Sequence, residues 1–272
     1  MGKGKPFLEV LASATHEDYR FPILEIFAFL YTLGTFVLAS FGSLGTSIAN
    51  QTITNESIAF TLTSSLLGLP LFIFIILIFK NIAYGLGSDL EKGIIQSYLS
   101  YPLKRWKILT AKLVSAIGIA LILFLTIQIS ALYVLAPDVI SPYLGTVLLT
   151  YAATLSPSLF VAGIMLLVTL FLRRGGLTLV IGIVLYFAMS IISSIALVVA
   201  FASGSSVPLQ IMSMIAPNVV LAEYYSSLSL PFGNELWSPA FSEVLFFIGI
   251  SYAIIGFLFF LGYYYFSRRL GL

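Results

Sequence analysis

The 272-residue chain has no cysteine, one histidine (His16), and charge on only 9% of its residues. Without cysteine it forms no disulfide, thiolate zinc site or iron–sulfur cluster, and it has no cysteine nucleophile. One imidazole cannot complete an H-E-x-x-H zinc site. His16 precedes every long apolar run, so no Ser–His pair is expected deep in a bundle. A metal or proton-relay role for His16 lacks a second imidazole, and a polar residue at a helix start is the plainer reading. No G-x-x-x-x-G-K-[ST] segment occurs, so the chain carries no P-loop of its own. Met212 and Met214 without His or Cys make a weak copper site and read better as packing. By itself the chain is expected to bind no cofactor or metal and to catalyse nothing.

What is abundant is hydrocarbon. Hydrophobic residues make up 60% of the chain and its mean hydropathy is +1.07. Soluble domains carry about 25% charged residues, so this chain cannot cover its apolar surface and its solvent is lipid. Six apolar runs, 23–41, 58–79, 108–135, 144–172, 177–201 and 244–266, are each long enough to cross a core of about 30 Å as a helix. Pro70 and Pro157 lie inside the second and fourth, where neighbouring helices can tolerate a kink. The expected architecture is an all-α integral membrane domain, 1–272, with six transmembrane helices. About twenty mixed residues, Glu17, Asp18 and Arg20 among them, precede the first run, so no cleavable signal is expected.

The basic residues sort onto one side of that layout. Lys3, Lys5 and Arg20 precede the first run, and Lys80, Lys92, Lys104, Arg105, Lys107 and Lys112 lie between or beside the second and third. Arg173 and Arg174 separate the fourth and fifth, and Arg268 and Arg269 follow the sixth. The positive-inside rule then places both termini in the cytoplasm of a multi-pass cell-membrane protein, with no nucleic-acid partner expected. Glu25, Lys112 and Glu243 sit within about a turn of run ends, and the middles of the runs carry no charge. A proton-coupled carrier is therefore disfavoured, sodium coupling through carbonyls and hydroxyls stays open, and the energy for any transport enters from outside the membrane. Gly85-Leu86-Gly87-Ser88-Asp89 is off by one from the glycine–aspartate element of intramembrane aspartyl proteases. Asp18 and Asp138 lie outside the runs, so no buried carboxylate dyad is expected.

Three connecting segments carry further pattern. Residues 1–22 hold Phe7, Leu8, Val10, Leu11 and Ala14 at helical spacing, which predicts an amphipathic interfacial helix. Thr15-His16-Glu17-Asp18 after them fits a capping box that would open the next helix. The outer segment 203–243 is too long for a plain connector and too apolar for a solvated loop. It predicts short helices at the outer leaflet, broken at Pro217 and near Pro231. Asn50-Gln51-Thr52 and Asn55-Glu56-Ser57 are sequons on the outer side.

The third segment, 80–107, is the most structured. Ser88-Asp89-Leu90-Glu91 reads as a capping box that starts a helix near Ser88 and puts two carboxylates in its first turn. Leu90, Ile94, Ile95, Tyr98 and Leu99 then form one apolar stripe, and Pro102 ends the helix. Lys104, Arg105 and Lys107 around Trp106 anchor the return to the membrane. The stripe suits either anionic lipid or a groove on another protein.

The run Glu91 to Leu113, E-K-G-I-I-Q-S-Y-L-S-Y-P-L-K-R-W-K-I-L-T-A-K-L, resembles the signature of ABC-2 type transporter permeases. Glu91, Gly93, Leu99, Ser100, Pro102, Arg105, Ile108, Leu109, Lys112 and Leu113 match it in order. Ile94 and Leu90 stand where the family has threonine and arginine. The resemblance implies a permease subunit of an ABC exporter, paired with a second permease and driven by a separate ATPase subunit that holds ATP and magnesium. Residues 80–107 would then be the cytoplasmic coupling loop, with Asp89, Glu91, Lys92, Gly93, Ile94, Ile95, Tyr98, Leu99, Pro102 and Arg105 at the ATPase contact, and 203–243 the extracellular gate. It also makes Thr61, Thr63, Ser64 and Ser65 in the second run, and Ser190, Ser193 and Ser194 in the fifth, candidates for the substrate path. Helix packing by small polar residues is the simpler reading for each of these seven.

Overall fold

A computed structural model describes residues 5–46, 55–99, 103–229 and 236–268, and no strand occurs among them. The helices are α1 (Lys5–Asp18), α2 (Ile23–Thr46), α3 (Asn55–Glu91), α4 (Ile94–Leu99), α5 (Arg105–Leu135) and α6 (Pro137–Ile140). They continue as α7 (Leu144–Leu172), α8 (Gly175–Ser203), α9 (Val207–Ser213), α10 (Asn218–Ser229) and α11 (Phe241–Arg268). Five of them, α3, α5, α7, α8 and α11, are long and apolar enough to cross a membrane, while α1 and α2 form a pair bent by 63°. In hydrocarbon a helix satisfies its own backbone, which is why long apolar runs take this form. The fold is that of an all-α protein compatible with multi-pass insertion. The sequon at Asn50, together with Ser100, Pro102 and Pro231 and the side chain of Leu99, lies outside the described residues.

The central element is α7. Val147, Tyr151, Leu155, Val161, Ala162, Met165, Leu166 and Leu170 are all buried on it, and α3, α8 and α11 pack around it. A helix that is apolar all round belongs inside the bundle. By contrast α8 lies at the edge, with Phe187, Ile191, Ile195 and Val198 left at least half exposed. At the far end from the basic residues, α9 and α10 tuck Leu209, Val220, Leu221 and Tyr225 under α11 and the start of α3. Glu56 accepts hydrogen bonds there from Tyr225 Oη at 3.1 Å and Thr146 Oγ1 at 3.2 Å, joining α3, α7 and α10.

Two expected helix starts are absent. α1 does not end before Thr15; it runs through to Asp18, with Val10 packed against Ile108 and Ala111 of α5 and Ala14 fully buried one turn further on. Likewise α3 does not restart at Ser88. Gly87 is helical, with φ −68° and ψ −43°, no side chain caps Ser88, and the helix continues to Glu91. The stop comes instead at Gly93, whose φ of 71° is a left-handed turn that ends α3 and opens the six-residue α4. The single helix expected over 88–100 is therefore two pieces.

Both α3 and α5 contain a π-helical turn, Asn81–Gly87 and Val114–Ile119, and the two turns face each other. Beside the first, α8 comes unusually close. A Cβ on Gly175 would stand 2.6 Å from the Ala83 carbonyl oxygen, and one on Gly87 would stand 2.9 Å from Gly175 Cα. Only glycine permits that approach.

Candidate functional site

Where α1, α3 and α5 meet, folding brings together five ionisable side chains, Glu17, Asp18, Lys80, Asp89 and Lys112, and buries Asp18, Asp89 and Lys112. Lys112 of α5 is 3% exposed and Asp89 of α3 is 1% exposed. Their side chains pair at 2.6 Å, and Lys112 also reaches Glu17 of α1 at 2.7 Å. Its ammonium stands 5.3 Å from the centre of the Tyr98 ring, a cation–π contact from α4. One lysine thus ties three helices and the short α4.

A second layer lies alongside. Lys80 donates to the Asp18 carbonyl at 2.8 Å, placing a cation at the C-terminal end of α1, and to Asn81 Oδ1 at 3.1 Å. The Asn81 amide donates to Tyr19 Oη at 3.1 Å, and Tyr19 Oη donates to the Ser115 carbonyl at 3.0 Å. Ser115 Oγ donates to the Asp18 carboxylate. Gly85 faces that carboxylate, and any Cβ at Gly85 would collide with it. The π turns are what bring Asn81 and Ser115 to this layer, since both residues belong to them.

The structure adds to what the sequence suggested. Lys112, near the start of an apolar run, is not free at its tip but buried and paired with the carboxylates of Asp89 and Glu17. Asp18 and Asp89 are both buried, although Asp18 lies outside the apolar runs, so buried carboxylates do exist in this chain. The available signal was that three carboxylates, Glu17, Asp18 and Asp89, and two lysines, Lys80 and Lys112, flank or enter the first three apolar runs. Ionisable groups in a membrane protein usually find one another.

Burial raises the Asp18 carboxyl to about 6, against the opposing pull of the Ser115 hydrogen bond, Lys112 and Lys80. Because this folded value lies above the unfolded one, the folded state holds the proton more tightly, and Asp18 stabilises the fold most below about pH 4. That contribution is lost as pH rises through about 6. Melting of the full chain in detergent at pH 5 and pH 7.5 should therefore differ by about 1 kcal/mol in favour of pH 5. Asp18→Asn should remove that difference, and an unchanged pH dependence in the variant would refute it.

The other residues expected at a partner contact divide sharply. Ile95 is fully buried among Leu86, Leu90, Leu109, Leu113, Leu170 and Phe266, so it belongs to the core rather than to an exposed stripe. Ile94 is 38% exposed, and Lys92, Gln96 and Ser97 beside it are exposed as well. Tyr98 is half-buried and shares a 3.3 Å hydrogen bond with Ser13 of α1. Glu91 accepts from the Gly175 amide at 3.3 Å, setting a carboxylate on the N-terminus of α8. Arg105 is exposed as the first residue of α5.

The hydroxyl candidates also divide. Thr63 is buried and bonds the Ala59 carbonyl at 2.7 Å, Thr61 bonds Ser57 O, and Ser65 bonds Leu62 O. These three satisfy their own helix, as packing predicts; Ser64 is half-buried beside them. Ser190, Ser193 and Ser194 line a cavity of about 200 Å³ with Tyr186, Pro157 and Asn218, although Ser194 Oγ also donates to the Ser190 carbonyl of its own helix at 3.1 Å.

The chain matches no protein-family model, no curated protein and no solved structure.

Proposed function

We propose that this chain is the permease subunit of an ATP-driven exporter of the ABC-2 type, six-spanning with α2 as the first span, both termini in the cytoplasm of the cell membrane. The observation that carries the reading is the turn at Lys92 and Gly93 with Ile94 beyond it. It is an exposed knuckle at the basic end of the bundle, fixed to three helices through Asp89, Lys112 and Glu91. A partner pressing on that knuckle moves buried, paired charges, not a free loop, which suits energy delivered from a separate ATPase carrying ATP and magnesium. The edge position of α8 suits a second permease copy or relative, and the segment 203–243 suits an outer gate.

Ile94→Asp tests it. The variant should fold and insert as the parent does, because Ile94 is partly exposed, and should lose co-purification of a P-loop ATPase co-expressed with it. Undiminished ATPase capture would refute the coupling role. A second reading, a proton-driven carrier, draws on the buried Asp18. It requires substrate flux down a pH gradient with no ATPase present, and Asp18→Asn would abolish that flux.

A further inference from the structure

The cavity bordered by Ser190, Ser193 and Ser194 lies deep in the bundle. At 1.5 Å per residue, Ser194 and Ser190 stand about 14 and about 20 Å from the end of α8 at Ser203, and Pro157 is near the middle of α7. Met212, Ala216 and Asn218 of the segment between α8 and α11 supply the remaining wall, so that segment reaches down to the same depth. Polar side chains so placed usually find a partner, as Thr63 and Thr169 do by bonding their own helices. Here Ser194 Oγ is committed to the Ser190 carbonyl. The side chains of Tyr186, Ser190, Ser193 and Asn218 form no hydrogen bond among the described residues, and all four border one space.

The chemistry of that lining selects its ligand. It holds no Asp, Glu, Lys, Arg or His, so an ion would find no counter-charge there, and an unpaired charge at that depth is costly. Hydroxyls and a carboxamide each donate and accept, which matches a ligand whose own hydroxyls do both. Pro157, Met189 and Met212 offer apolar wall to its carbon skeleton. The volume of about 200 Å³ suits a molecule between glycerol and a single ring in size, since about 150 Å³ already admits benzene. We propose that this cavity binds an uncharged polyol, either free or as the headgroup of a lipid. The inference deepens the transport reading above by naming a substrate class, and as a substrate site it rests on that reading.

The test is native mass spectrometry of the full chain in an amine-oxide detergent, which brings no hydroxyl of its own, titrated with monooleoylglycerol or methyl oleate. The two lipids share an acyl chain and an ester and differ by two hydroxyls. The parent should hold monooleoylglycerol about tenfold more tightly, the effect of two hydroxyls that each gain a modest net hydrogen bond. Ser190→Ala combined with Asn218→Ala, both at exposed positions, should bring the two lipids to parity while the chain elutes unchanged on size exclusion. Loss of bound monooleoylglycerol to excess glycerol assigns the site to a free polyol; retention assigns it to the lipid-borne headgroup. Equal binding of the two lipids by the parent overturns the proposal, as does a preference that survives the double variant. Binding is read with no ATPase present, so the two readings fail separately. A polyol preference alongside undiminished ATPase capture by Ile94→Asp would remove the export role and leave a binding site. Lost capture with no polyol preference sinks only this inference.

Discussion

Lys112→Met should destabilise the folded chain by about 3–5 kcal/mol, the range for removing one member of a buried ion pair. The loss comes less from the missing attraction than from what stays behind. Asp89 is almost wholly buried, its nearest cation is Lys112, and apolar residues including Leu86 and Leu90 surround that end of α3. Glu17 suffers less, since its side chain is 42% exposed and water replaces the ammonium. The remedy is therefore specific. Lys112→Met combined with Asp89→Leu should recover most of the lost stability, because an apolar pair of similar volume replaces a charged pair with little net change. Thermal melts of the parent, both single variants and the double variant form a cycle that reads this coupling directly. If the double variant melted no higher than Lys112→Met, the buried pair would not be what holds α3 to α5.

Ile95→Asp is the second large effect. Truncating a fully buried isoleucine costs about 2–5 kcal/mol before any charge is added. The new carboxylate would face Leu109, Leu113, Leu170 and Phe266 with no cation in that cluster. The expected outcome is aggregation on size-exclusion chromatography and loss of the cooperative melt. Ile94→Asp, one residue earlier, should elute as the parent does. The adjacent pair thus separates folding from partner contact: a failure of ATPase capture means something at Ile94 that it cannot mean at Ile95. A monodisperse, cooperatively melting Ile95→Asp would contradict the packing of α4.

The long helices were legible from apolar runs alone, since lipid leaves the backbone few other choices. The stop at Gly93 was also legible in principle, as a glycine following a lysine at the end of a helical pattern. What misled was Ser88-Asp89-Leu90-Glu91. It has the letters of a capping box but follows a helix that has no reason to end, because Leu86 and Leu90 go on burying the same face. The ionic cluster was hidden for a different reason. At 3.6 residues per turn, Lys80 and Asp89 point to opposite sides of α3. The π turn over Asn81–Gly87 adds about one residue and rotates everything after it by about 100°, carrying both towards α1 and α5. No sequence periodicity announces such a turn. The burial of Asp18 was hidden likewise, since it depends on the bare backbone at Gly85.

The bond from the Gly175 amide to Glu91 has a mechanical meaning. α3 ends and α8 begins within one hydrogen bond of each other, with Gly87 against Gly175 leaving no slack between their backbones. The other ends of these two helices are engaged separately, α3 through Glu56 to α7 and α10, α8 through its packing on α9. The two helices therefore share one tight joint beside Lys92, while their far ends are held to different neighbours.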